Sequence, residues 1–302
     1  MLACALALAL AFQAHAIHFD SDRAWEHLRQ LVAIGPRPSG SPALDQARQY
    51  IKDQLAALGL PVTEQKWAED TPAGKVPMVN LITTVPGERK DHLIIAGHVD
   101  TKRFSEFRFV GASDGGSSGA FLLEMARVLK ARKNRLTMEL LFLDGEEAVN
   151  AEWAGTDNTY GSRHYVEMAR RDGSLAGIKA VILVDMIGAR DLHIARDTNS
   201  TPWLSDAIWS SAHHLKLDSV FLPCSRKSPR QACTTTIDDD HLPFLKAGVP
   251  AVDIIDLDYE PWHTPGDTLD AVSARSLQVV GDVVLGALRK IEGRFLHSGA
   301  TP

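Results

Sequence analysis

Three apolar runs in this chain stop on acid: "HLIIAGHVD" closes at Asp100, "MELLFLDG" reaches Asp144 with Glu146 and Glu147 just beyond it, and "AVILVDMIG" carries Asp185. Runs this continuously apolar suit strands covered on both faces, as in the sheet of an α/β sandwich. In open sheets of that kind ligands bind beyond the carboxyl ends of the strands. The acids therefore converge on one place, and carboxylates gathered in a low-dielectric cleft need an opposing charge or a proton.

The rest of the chain fits the same architecture. The strand-like runs "NLITTVPG" and "PAVDIIDLD" join the three above, and the helical patterns "GAFLLEMARVLKARK", "YGSRHYVEMARRDG", "PWLSDAIWSSAHHLKL" and "SARSLQVVGDVVLGALRKIEG" fall between or after them. Two helices come first, separated by a Gly/Pro/Ser loop, the second running from about Pro42 to Leu58 before Gly59 and Pro61 stop it. The pattern predicts a single-domain α/β sandwich with a central mixed, mostly parallel sheet flanked by helices. At 302 residues, 45% hydrophobic and 23% charged, the chain can fill one large core. Its net charge of -6, without a long basic run, offers nothing to nucleic acid.

"MLACALALALAFQAHA", residues 1–16, is too short to span a bilayer and ends in the A-x-A pattern of signal-peptidase cleavage, so the mature chain is expected to begin near Ile17 and to be exported, to the periplasm or the medium. A basic n-region is missing, which leaves a mis-set start or an uncleaved anchor open. No other segment is apolar enough to span a membrane, so no stable insertion is expected after cleavage. Cys224 and Cys233 would remain, and their spacing permits one disulfide or two free thiols.

The candidate ligands are His98 and Asp100 in "GHVDTK", Asp114 in "VGASDGGSSGA", Glu146 and Glu147 in "DGEEA", Asp185 in "LVDMIGA" and His263 in "PWHTPGD". Taken singly, each has a plain structural reading: a hydrogen-bonded histidine, an N-cap, a satisfied buried acid or a solvated turn. Together they form an oxygen and imidazole donor set without thiolate, which suits Zn²⁺ in a catalytic site. Adjacent residues leaving a strand point to different sides, so one glutamate of the pair can bind metal while the other handles protons.

In this order, "GHVDTKRFSEFRFVGASDGGSSGA", "LLFLDGEEA", "YGSRHYV", "LVDMIGA", "DDDHLPFLKAGVPAV" and "PWHTPGDTLD" resemble the M28 zinc exopeptidases, and most closely their animal-type glutaminyl cyclase branch. The resemblance covers nearly all of residues 17–302 and implies one zinc on Asp114, Glu147 and His263. It implies Glu146 as the proton carrier, Asp185 and Asp239 as catalytic hydrogen-bonding acids, and Trp153, Trp262 and Tyr259 as substrate-pocket walls. Asp238 and Asp240 flank Asp239, leaving the register of that run open by one. The implied reaction converts the N-terminal glutamine of a peptide or protein substrate to pyroglutamate with release of ammonia. Gly115 after Asp114, where two-zinc aminopeptidases carry a further acid or amide, favours the cyclase. A two-zinc M28 aminopeptidase with His98 and Asp185 at the second metal is the alternative, and a metal-free binding domain on the same fold a more distant one.

Overall fold

The computed structural model describes residues 18–224 and 233–296. The leader reading for residues 1–16 lies outside them. The elements in chain order are α1 (Ser21–Ile34), α2 (Pro42–Ala57), β1 (Val62–Thr71), β2 (Gly74–Val85), β3 (Arg89–His98), α3 (Gly116–Ala131), β4 (Leu136–Leu143), α4 (Tyr160–Asp172), β5 (Ile178–Asp185), β6 (Arg196–Asp197), α5 (Pro202–His214), β7 (Thr234–Thr235), α6 (His241–Lys246), β8 (Ala251–Ile255) and α7 (Ala274–Leu296).

Local chemistry accounts for the helix starts. Asp20 accepts the backbone N–H groups of Asp22 and Arg23 at the head of α1, and Ser41 accepts that of Leu44 ahead of Pro42, which opens α2 without an N–H to lose. Each of the five strand-like runs becomes a strand. They join β1 in a six-stranded sheet of order β1-β2-β4-β3-β5-β8. β1 to β2 and β2 to β4 are antiparallel, whereas β4 to β3, β3 to β5 and β5 to β8 are parallel, so the sheet is mixed and its central and far parts are parallel. β1, unexpected from the sequence, is the antiparallel edge.

Side chains alternate across this sheet. Leu93, Ile95, Leu140, Phe142, Ile182, Val184, Val252 and Ile254 pack with α1, α2, α3, α5 and α7 in the larger core. Ile94, Ala96, Leu141, Val181, Leu183 and Ala251 face α4 and α6. With both faces covered, β3, β4, β5 and β8 run parallel, so their carboxyl ends lie along one rim. Cys224 and Cys233 form a disulfide. Among the described residues no helix is long and apolar enough to cross a membrane.

Candidate active site

The rim gathers the acids named above. His98 is the last residue of β3, Asp185 the last of β5, and Glu146 and Glu147 follow the end of β4. His263 arrives from the segment after β8, and Asp114 from the turn before α3. Gly115 makes that turn possible: at φ +75° a Cβ there would sit 2.3 Å from the Asp100 carbonyl oxygen, so any larger residue after Asp114 would displace it. His263 and Met186 also hold left-handed backbone, at φ 53° and 46°, a strain that in non-glycine residues concentrates at functional sites.

Two metal-sized clusters share Asp114. In the first, donor atoms of Asp114, Glu147 and His263 all lie within 4.8 Å of one another. His263 Nε2 stands 3.1 Å from Glu147 Oε1 and 3.3 Å from Asp114 Oδ2. A single imidazole nitrogen cannot satisfy both carboxylates with one proton. Asp114 Oδ2 and Glu147 Oε2 are accordingly buried without a hydrogen-bond donor, which is what a cation between the three residues would correct. In the second cluster, His98 Nε2 lies 3.2 Å from Asp114 Oδ1 and 3.0 Å from Asp185 Oδ1.

The electrostatics record the same crowding. Burial, then the Asp114 charge, pushes Glu147 up to about 7 despite the opposing pull of His263. Burial acts first on Glu146 too, and Glu147, Asp239 and Asp185 add to it, raising it well above the ordinary range against the pull of His98. Asp114 goes the other way: burial is outweighed by the imidazoles of His263 and His98, which hold it low. His263 in turn rises to about 9, its carboxylate partners overcoming the cost of burial.

A third cluster places Glu146, Asp185 and Asp239 within 4.8 Å of one another. Of the acidic run, Asp239 enters the cleft, Asp238 is exposed at its mouth, and Asp240 turns away to take the Ser162 hydroxyl. The cleft has a volume of about 270 Å³, with Trp153 and Trp262 among its walls. Trp262 remains 42% exposed, so it stands at the entrance rather than in the core.

Tyr259 departs from its expected place. It is buried rather than lining the cleft, because its hydroxyl donates to Asp267 Oδ1 at 2.7 Å. Asp267 also accepts the backbone N–H groups of Ser113 and Asp114, at 2.8 and 3.1 Å. Tyr259 thus supports the loop that presents Asp114.

Among the other supporting residues, Lys102 and Arg37 go unread in the sequence, whereas Asp100, a candidate ligand there, acts as a backbone acceptor. Asp100 accepts the N–H groups of Glu146 and Glu147 and so shapes their turn. Lys102, almost fully buried, donates to the Ala148 carbonyl at 2.8 Å with its ammonium 3.8 Å from Glu147 Oε2. Arg37 donates to the carbonyls of Val99, Val110 and Gly111, tying down the segment between β3 and Asp114. Only "HVDTK" and "PWHTPGD" hinted at Lys102 and Asp267, through their place inside the motifs.

An α/β sandwich with this acid and imidazole set at its strand ends offers the donor set that suits a catalytic metal. Residues 80–288 match the family model for peptidase family M28. The chain is 30% identical over 266 residues to glutaminyl-peptide cyclotransferase of Drosophila melanogaster, covering 82% of this chain and 75% of that protein. It is 32% identical over 278 residues to the glutaminyl-peptide cyclotransferase-like protein of Mus musculus, covering 82% and 70%. The crystal structure of Acidobacteriales bacterium glutaminyl cyclase superposes with a TM-score of 0.85 at 38% identity, covering 96% of this chain and all of that one. The chain belongs to peptidase family M28, in its glutaminyl-peptide cyclotransferase branch.

Proposed function

We infer that the chain is a zinc-dependent glutaminyl-peptide cyclotransferase, acting on peptides or proteins with N-terminal glutamine. The observation that carries this reading is the adjacency of two sets of groups in one small cleft: a donor-poor Asp114, Glu147, His263 triad, and beside it the acids Glu146, Asp185 and Asp239. The triad offers two carboxylates and one imidazole, a donor set that fits catalytic zinc and leaves a position for substrate. Bound there, Zn²⁺ supplies Lewis-acid polarisation of the glutamine γ-carbonyl and stabilises the negative charge its oxygen acquires.

The chain's own residues do the rest. The α-amine of the substrate attacks its γ-carbonyl carbon, forming the ring C–N bond, and the γ-amide C–N bond breaks to release ammonia. Glu146 takes the proton from the attacking nitrogen and returns it to the leaving one. Asp185 and Asp239 hold the leaving nitrogen and orient Glu146. Trp153 and Trp262 confine the short uncharged side chain in a folded, near-attack geometry, which is a large part of the acceleration for an intramolecular reaction.

The closeness of His98, Asp114 and Asp185 keeps a second reading, a two-metal aminopeptidase. One experiment separates them. Purified protein is incubated with a glutaminyl peptide and with an ordinary aminopeptidase substrate, with and without chelator, while ammonia, free amino acids and bound zinc are measured. Ammonia release with about one zinc supports the cyclase; free amino acids with about two zincs would replace it with the peptidase.

A further inference from the structure

Behind the cleft, Asp239 meets two buried polar residues that the reaction above does not use, Asp253 and His241. Asp253 sits in β8 opposite Leu183 of β5, and since Val252 and Ile254 fill the larger core, its side chain turns to the other face, toward α6. There its carboxylate, that of Asp239 and the ring of His241 have donor atoms within 4.8 Å of one another. Asp253 and His241 have no exposed surface, and Asp239 keeps only 3%. Both oxygens of Asp253 and Oδ2 of Asp239 lack a hydrogen-bond donor.

The surroundings supply no substitute. Asp239 Oδ1 takes the backbone N–H of Asp240. His241 Nε2 faces Asp197 Oδ2 at 3.2 Å, and its Nδ1 is 3.8 Å from Asp253 Oδ2, too long for a hydrogen bond. Asp197 is already served by the N–H groups of Asn199, Ile237 and Ser200 and by the Ser200 hydroxyl. The charged groups bearing on Asp253 are Asp239, Asp185 and Asp197, with the His241 ring beside them; those bearing on Asp239 are Asp185, Asp240, Glu146 and His98. Two carboxylates left facing each other in such a place cannot both stay ionised; one proton between them removes the repulsion and gives each an otherwise missing partner.

We propose that Asp253 is a positioning residue for Asp239: the two carboxyl groups share one proton, and that bond holds Asp239 in the orientation it presents to Glu146 and Asp185. Burial and the neighbouring acids raise both groups well above the ordinary carboxylate range, which agrees with a retained proton. The catalytic consequence rests on the cyclase reading; the shared proton does not.

The test uses zinc-loaded full-length protein carrying D253A or D253N. D253A removes the bond, so kcat should fall roughly 10-fold or more, within the range for losing an outer partner of a site residue, with KM and zinc content unchanged. D253N restores a donor to Asp239 and should recover most of kcat. Because its amide cannot ionise, the alkaline fall of kcat that comes from the pair's second ionisation in the wild type should be absent. An infrared difference spectrum at neutral pH should show a protonated-carboxyl band in the wild type that both variants lose, whatever the substrate. D253N as impaired as D253A, a pH profile superimposable on the wild type, or no such band would overturn the proposal. Loss of a metal equivalent in either variant would overturn it in favour of a cation at this position. Wild-type protein that has the band but does not cyclise glutaminyl peptides would fault the functional reading alone.

Discussion

Glu146 and Glu147 leave the same turn, with Asp100 holding both backbone N–H groups, yet their carboxylates meet different partners. Glu147 Oε1 reaches His263 and its other oxygen is donorless, whereas Glu146 falls among Asp185 and Asp239, with Oε2 3.8 Å from His98 Nδ1. The separation makes their substitutions distinguishable. E146Q keeps the shape and leaves the triad intact, so zinc content should be unchanged while kcat falls by roughly 100-fold or more, the scale for a missing general acid/base. Wild-type turnover in E146Q would remove Glu146 from its assigned role. Asp144, third acid of the turn, has a structural account: Arg48 and Ser39 donate to it at 2.8 and 2.6 Å and the Val79 N–H at 2.7 Å. Burial and the Asp100 charge push it up to about 7 against those donors, and it does not line the cleft.

Between elements, the α1–α2 contact contains a titrating pair. His27 Nδ1 of α1 lies 2.7 Å from the Tyr50 hydroxyl of α2. Burial first, then the Arg23 charge, lowers the imidazole to about 4. In the unfolded chain a histidine titrates near 6.5, so between about pH 6.5 and pH 4 the unfolded state binds a proton that the folded state refuses. Stability therefore falls as pH drops through that window and is fully present above it. H27Q retains a hydrogen-bonding group that does not titrate, and should remove about 1–2 kcal/mol of that acid loss, allowing for the partial exposure of the ring. Thermal melts of both proteins from neutral to acid pH would read it; parallel curves would show that His27 contributes nothing. The same scale explains what the sequence conceals. The apolar strands are legible because burial on both faces demands unbroken hydrophobicity. β1, by contrast, reads "VTEQKWAEDT", half exposed at the sheet edge, where packing asks little of it. α6 has only six residues, too few for a helical period to show. The candidate metal triad and the cleft acids are visible as motifs, but Tyr259 looks like a pocket wall until Asp267 is seen to hold its hydroxyl, and the approach of Asp253 to Asp239 depends on the packing of α6, which lies between them in sequence and which no periodicity shows.

At the scale of the whole molecule, Asp114, Glu147 and His263 come from three separate segments that only the folded sheet brings together. An unfolded chain holds no such site, so a cation bound by the triad stabilises the native state by mass action. The gain is about 4 kcal/mol when free metal exceeds Kd by about 1,000-fold. For a chain of 302 residues each kcal/mol is worth roughly 1.5–2 °C, so chelation should lower Tm by roughly 6–8 °C, and added zinc should restore it. The deeper reason to expect a large effect is the charge left behind: Asp114 and Glu147 are buried, each has an oxygen without a donor, and His263 Nε2 has one proton to divide between them. H263A separates the two contributions, since it removes a ligand without adding a charge. It should bind zinc weakly and show little Tm response to chelator. A wild type whose Tm ignores both chelator and zinc would mean that the triad is satisfied by protons alone, and the metal would have to be withdrawn from the site.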